Sequence, residues 1–263
     1  MFRNKFRHLM MVTIVITCIM NSKGYSADPN VSLDTKLIRI ISQDKGNGTN
    51  IQNQEDQCLS LLSDYNSPED KGKIYAKIAF IYSSHGYSSP NDIRIKKTGE
   101  YCRKALDYPL DLLTTCETYT RLSGSEIGPY IDAPETEFIK ARKESIITCL
   151  KGLKLVLDSN APKEWRQPPG VFKYVVNDDN PDYNRIVQEH ERQIEARRHS
   201  EIENKLFILR RALIDRCVVL YAHKPYDTEE FVKYAQDALK GHEDAVEEII
   251  AKIDEKIPQQ DKK

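Results

Sequence analysis

The stretch Tyr75-Ala76-Lys77-Ile78-Ala79-Phe80-Ile81-Tyr82, followed by Gly86, decides the fold of this chain. Tyr75, Ile78, Ala79 and Tyr82 recur at intervals of three and four residues, which puts them on one stripe of a 3.6-residue helix. Upstream, Ser67 followed by Pro68 and Asp70 reads as an N-cap, a proline at the first helical position and an acidic residue in the first turn. Gly86 can close the helix by taking a left-handed conformation. After the loop Ser88-Ser89-Pro90-Asn91-Asp92, the residues Thr98, Tyr101, Cys102, Ala105 and Leu106 mark a partner helix that stops before Pro109. The segment is therefore a pair of helices, and its apolar stripe needs a neighbour.

The same pattern returns further on. Leu112, Thr115, Cys116 and Tyr119 stand to each other as Tyr75, Ile78, Ala79 and Tyr82 do, a constant shift that favours a repeat. The second hairpin runs from Ser123 through Pro134, and its second helix should cover about 135–157. Upstream, 31–41 is a short apolar-periodic piece (Val31, Leu33, Leu37, Ile38, Ile40, Ile41), broken by the Gly and Asn cluster of 45–50. A further helix is expected from Gln52 to Asp64, with Cys58, Leu59, Leu61 and Leu62 as its apolar face.

These positions resemble the tetratricopeptide family. Its first helix carries an aromatic, an apolar, a small residue and a tyrosine where this chain has Tyr75, Ile78, Ala79 and Tyr82. Its second helix carries small, bulky and small residues where Thr98, Cys102 and Ala105 stand, and its closing proline is matched by Pro109. The chain departs from the family in having Tyr75 for tryptophan, Ala79 for glycine, and a hairpin longer than the roughly 34-residue unit allows. The resemblance covers about 31–157 and implies an all-α, right-handed solenoid of helix hairpins. It also implies binding by a concave face lined by first-helix residues: Ala76, Lys77, Phe80 and Ser84 in one unit, Leu113, Thr114, Glu117 and Arg121 in the next. The family's clamp for terminal carboxylates has lysine and asparagine where this chain has Ala76 and Phe80, so that clamp is absent. The expected ligand-binding residues are Lys77, Phe80, Ser84, Leu113, Glu117 and Arg121.

The rest of the chain reads as a different kind of helical region. Residues 159–181 form a linker rich in Pro and turn formers, with a β-prone run at 171–176. A C-terminal helical region, 182–257, starts with a long helix to Tyr221. Its first half has almost no apolar stripe, whereas its second half has Leu206, Leu209, Leu213, Ile214, Cys217, Val218 and Tyr221. Asp227 with Glu230 has the spacing of a capping box, Gly241 is a helix stop, and Val246, Ile249, Ile250, Ile253 and Ile257 stripe a last helix. The tail 258–263 is polar and expected to be loose.

The N-terminus has Arg3, Lys5 and Arg7, an apolar run from Leu9 to Met20, and small or polar residues around Ser26-Ala27. That order is the layout of a secretory signal peptide over 1–27, cleaved after Ser26 or Ala27. The run is shorter than the roughly 20 apolar residues that a spanning helix needs. A secreted or periplasmic chain with no stable membrane insertion after cleavage is the expectation. Asn47-Gly48-Thr49 matches a glycosylation acceptor.

Lys and Arg number 39 against 40 Asp and Glu, so the net charge is −1 and no global field attracts nucleic acid. The histidines form no His-Glu-x-x-His pattern, the cysteines no Cys-x-x-Cys pair, and neither a Gly-x-Ser-x-Gly elbow nor a phosphate-cradling loop occurs. No catalytic residue, metal site or cofactor is expected. Five cysteines follow the signal, and Cys102 with Cys116 is the pair that neighbouring helices would carry toward one seam. The sequence thus points to a non-catalytic binding or assembly module with a protein or peptide partner. The alternatives are self-association through the long helix and an enzyme without a recognisable motif.

Overall fold

The computed structural model describes residues 31–43, 50–84, 87–171, 183–221 and 228–256. Among them the chain is all helical and has no strand. The helices are α1 (Leu33–Ser42), α2 (Ile51–Ser60), α3 (Pro68–Ser83), α4 (Ile93–Leu106), α5 (Leu112–Ile127), α6 (Glu135–Asp158), α7 (Tyr183–Tyr221), α8 (Thr228–Ala238) and α9 (Glu243–Lys256). The signal segment, the glycosylation triplet, Gly86, the run 172–176, Asp227, Ile257 and the tail lie outside the described residues.

Helices α3, α4 and α5 each start on a side chain that satisfies one of the helix's unpaired backbone donors. Ser67 Oγ accepts from the Asp70 N–H at 3.1 Å, with Pro68 at the first helical position. Asp92 Oδ1 accepts from Arg94 N–H at 3.0 Å, and Asp111 Oδ1 from Thr114 N–H at 2.9 Å. Gly241 takes φ +90°, where a glycine is unstrained, and the chain turns there into α9.

The chain divides into two compact units, with the boundary inside α6 between Ser145 and Ile146. In the first unit consecutive helices pack on one another in order, and α3 lies at the centre, touching α1, α2, α4 and α5. That position explains why α3 is buried on more than one face: Ile74, Ala76, Ile78, Ala79, Ile81 and Tyr82 are all in the core, together with Leu37, Cys58 and Cys102. The expected stripe therefore widens, and Ala76, placed on an open face by the family resemblance, is buried. Thr98, Cys102 and Ala105 are fully buried on α4, as small seam residues should be. At the shifted positions on α5 only Cys116 of the stripe is buried, while Leu112, Thr115 and Tyr119 are half-buried.

Two glycines let backbones approach. A Cβ on Gly72 would stand 2.8 Å from Leu110 Cδ2 and 3.0 Å from the Pro109 carbonyl oxygen, so α3 sits directly on the α4–α5 connection. A Cβ on Gly99 would meet Ser125 Oγ at 2.9 Å, where α4 packs against α5.

The second unit is built around the apolar half of α7. Leu213, Ile214, Cys217, Val218 and Tyr221 are buried with Phe231, Leu239, Ile249 and Ile253. The Tyr221 and Phe231 rings pack at 4.1 Å. Ion pairs fasten α9 to α7, Arg210 to Glu248 at 2.6 Å and Lys252 to Asp215 at 2.9 Å. His242 Nε2 lies 2.7 Å from Asp158 Oδ1, and that contact holds the Asp158 carboxyl below its ordinary range. From residue 185 to 203, α7 has no buried residue, in keeping with its missing stripe. Asn204, itself buried, accepts from the Arg166 N–H at 2.9 Å and donates to the Arg166 carbonyl at 2.7 Å, pinning the irregular segment 159–171 to α7.

Candidate functional site

Among the described residues of the first unit, a polar cluster around Glu55 and another around Phe80 differ in what they leave available. The first is closed. Glu55 of α2 is only 2 % exposed, although its neighbours Asp56 and Gln52 face solvent. It occupies the apolar stripe of its helix, one turn from Ile51 and less than one from Cys58, so burial of α2 carries the carboxylate inside. The hydroxyls of Tyr82 and Tyr101 both donate to it, Lys97 Nζ donates at 3.0 Å and Gln52 Nε2 at 3.0 Å. Burial raises the carboxyl's pKa, but the bonds from Tyr101, Tyr82 and Lys97 and the Lys97 charge together outweigh it, so Glu55 stays ionised below its ordinary range. Desolvation and the same carboxylate push both tyrosine hydroxyls up.

A recess of about 270 Å³ opens beside this cluster, lined by Ile51, Gln52, Tyr82, Ile93, Arg94 and Lys97. Its charged groups are already paired: Arg94 with Asp92 at 2.5 Å, Lys97 with Glu55. The recess has little left with which to recognise a ligand.

The second cluster is open. Helices α3 and α5 pack together, and their facing side chains bring four of the six sequence-predicted residues into one group. Two cations lie near the Phe80 ring, Lys77 Nζ 5.5 Å and Arg121 Cζ 5.1 Å from its centroid. Arg121 also bonds Glu117 across one helical turn at 3.1 Å. Among the described residues no carboxylate lies within ion-pair distance of the Lys77 ammonium. Burial and the neighbouring Arg121 charge push the Lys77 pKa down, against the opposing pull of Glu117 and Asp34. Lys77, Phe80, Glu117 and Arg121 are all half-buried, so each keeps a solvent-facing surface. Ser84 and Leu113 share these helices but not the ring and ion contacts; the Ser84 hydroxyl turns back to the Ile81 carbonyl at 2.9 Å.

Sequence reasoning missed Glu55 and its donors. The one available signal was a carboxylate inside the Ile51, Glu55, Cys58 stripe, at the spacing reserved for buried positions. Among the described residues there is no group of three or more His, Cys, Asp or Glu that could hold a metal ion, and no helix is long and apolar enough to cross a membrane.

No protein-family model matches the chain, and comparison with curated proteins and with solved structures finds no match either.

Proposed function

We propose that the chain is an exported, non-catalytic protein-binding module of tetratricopeptide-like helix hairpins, and that the face of α3 and α5 around Phe80 takes an extended peptide carrying acidic side chains. The observation that carries this reading is the placing of both Lys77 and Arg121 against the ring of Phe80. A half-buried aromatic ring with two cations against it offers apolar contact and positive charge in one place. Within the group of Lys77, Phe80, Glu117 and Arg121 the acid is Glu117, which leaves those four side chains an excess of one positive charge. An incoming carboxylate would gain a charge-assisted hydrogen bond from Lys77 without first displacing another acid. Such bonds to charged groups are worth about 1.5–3 kcal/mol each.

Sequential packing of helix hairpins and the fully buried Thr98, Cys102 and Ala105 support the tetratricopeptide-like part of the reading. The layout of residues 1–27 supports export. The saturated, buried Glu55 is fitted to holding α2, α3 and α4 together rather than to moving protons.

A test is an immobilised library of extended peptides, graded from acidic to basic, probed with the wild-type chain and with a Phe80→Ala, Arg121→Glu double variant. Selective capture by acidic peptides that disappears in a still helical double variant is the expected result. Equal capture of all charge classes, or capture that survives the substitutions, would remove this face as the site.

A further inference from the structure

We propose that Cys149 of α6 and Cys217 of α7 are a matched pair of thiols that close into a disulfide while the second unit folds. Both are fully buried. Cys149 Sγ donates to the Leu213 carbonyl oxygen at 3.3 Å. In an α-helix that carbonyl accepts from the N–H four residues on, which is that of Cys217. Helical side chains lean toward the N-terminus, so the Cys217 sulfur lies over the turn that Leu213 begins. The two sulfurs thus meet at one turn of α7, each carried by a helix of the same unit.

The remaining described cysteines have other surroundings. Burial pushes Cys58, Cys102 and Cys116 up to about 12, and the groups that act on them are charged side chains: Lys77 and Glu55 on Cys58, Arg121 and Arg103 on Cys102, Glu117 and Asp111 on Cys116. Around Cys217 the acting neighbour is the Cys149 thiol itself, which together with complete burial raises Cys217 well above the ordinary thiol range. The described cysteines, those of the pair expected from sequence, Cys102 with Cys116, included, are all present as thiols.

The oxidant is a disulfide of the glutathione class. In the unfolded chain one cysteine thiolate attacks a sulfur of glutathione disulfide and expels one glutathione thiolate, leaving a mixed disulfide. The second cysteine thiolate then attacks the protein sulfur, the Sγ–Sγ bond forms and the second glutathione leaves. Two electrons pass from the cysteine sulfurs to the glutathione pair, and the two thiol protons go with them. Packing ends this chemistry in both directions: the buried Cys217 thiol, with its raised pKa, supplies almost no thiolate, and burial of both sulfurs keeps an external thiolate from reaching the finished bond.

The test refolds the reduced full-length chain in a glutathione redox buffer, alkylates the remaining thiols under denaturing conditions, and maps the unreduced digest by mass. The expected product is about 2 Da lighter before alkylation, contains a linked Cys149–Cys217 peptide pair, and leaves Cys58, Cys102 and Cys116 alkylated. Cys217→Ala is expected to refold to the same helical content without the link. A link through any other cysteine, a chain with every cysteine alkylated, or a Cys217→Ala variant that still loses two thiols would overturn the proposal.

Discussion

Tyr82 and Tyr101 stack with their ring centroids 6.2 Å apart and their planes 8° from parallel, and both point their hydroxyls at the carboxylate of Glu55. One residue comes from α3 and the other from α4, so a single buried charge on α2 fixes the rotation of two helices about their axes. The tyrosine that the helical spacing placed on a seam thus has a second task, which is to solvate an ion in the core.

Replacing Glu55 by Gln keeps the size of the side chain and removes its charge. Lys97 then loses its partner and one tyrosine hydroxyl must accept a weaker bond. The expected cost is about 2–4 kcal/mol, read as a shift of the urea midpoint at unchanged slope.

The pH dependence follows from the same carboxylate. Its folded-state pKa is lowered, so its contribution is present above the unfolded value of roughly 4.3 and is lost as the pH falls through the folded value. Asp92, held well below the usual range by Arg94 and by backbone N–H groups, adds to the same acid-side loss. Denaturant melts between pH 7 and pH 3 should show stability falling below about pH 4.5, with a shallower fall in Glu55→Gln. An equal slope in the variant would separate acid sensitivity from this cluster.

Gly72→Ala sets two effects against each other. Alanine gains about 1 kcal/mol of helix propensity, but its methyl would stand 3.0 Å from the Pro109 carbonyl oxygen, which is backbone and cannot swing aside. Crowding of this kind costs about 1–3 kcal/mol. A net loss of stability of roughly 1 kcal/mol is expected in denaturant titration; a gain would mean that α3 is looser on the α4–α5 connection than the packing indicates.

Asn204→Ala should release the segment around Arg166 without disturbing the helices. Trp165, the sole tryptophan and half exposed, sits next to the pinned residue and reports on it directly. The expected signature is a lower fluorescence anisotropy and faster acrylamide quenching, with far-ultraviolet dichroism unchanged and a stability loss of about 1–2 kcal/mol.

The residues whose environment is set locally were legible in the sequence. Ser67, Pro68 and Asp70 announced the start of α3 because a helix must satisfy its first N–H groups within its own turn, and Gly241 announced a turn because few other residues take positive φ. Lys77, Phe80, Glu117 and Arg121 came from the family resemblance, which sets them on the first helices of two units, whereas the ring and ion contacts among them depend on how α3 packs on α5. Glu55 was not legible, since a carboxylate in an apolar stripe is more often a solvated edge than a buried ion, and its rescue depends on Tyr101 and Lys97 from a helix about forty residues away. Gly72 and Asn204 were silent for a related reason: what they touch, Pro109 in one case and the Arg166 backbone in the other, is decided by tertiary packing and leaves no periodic trace.

The binding account is tested most directly by titrating one acidic peptide, taken from the library selection, into Arg121→Glu and Glu117→Gln side by side with the wild-type chain at low and moderate salt. Arg121→Glu reverses one of the two charges on the Phe80 ring, whereas Glu117→Gln removes the acid that bonds Arg121. The account predicts opposite signs: affinity reduced at least tenfold in the first, raised about two- to fivefold in the second, with both differences shrinking as salt increases. Changes of the same sign in the two variants, or none in either, would contradict it.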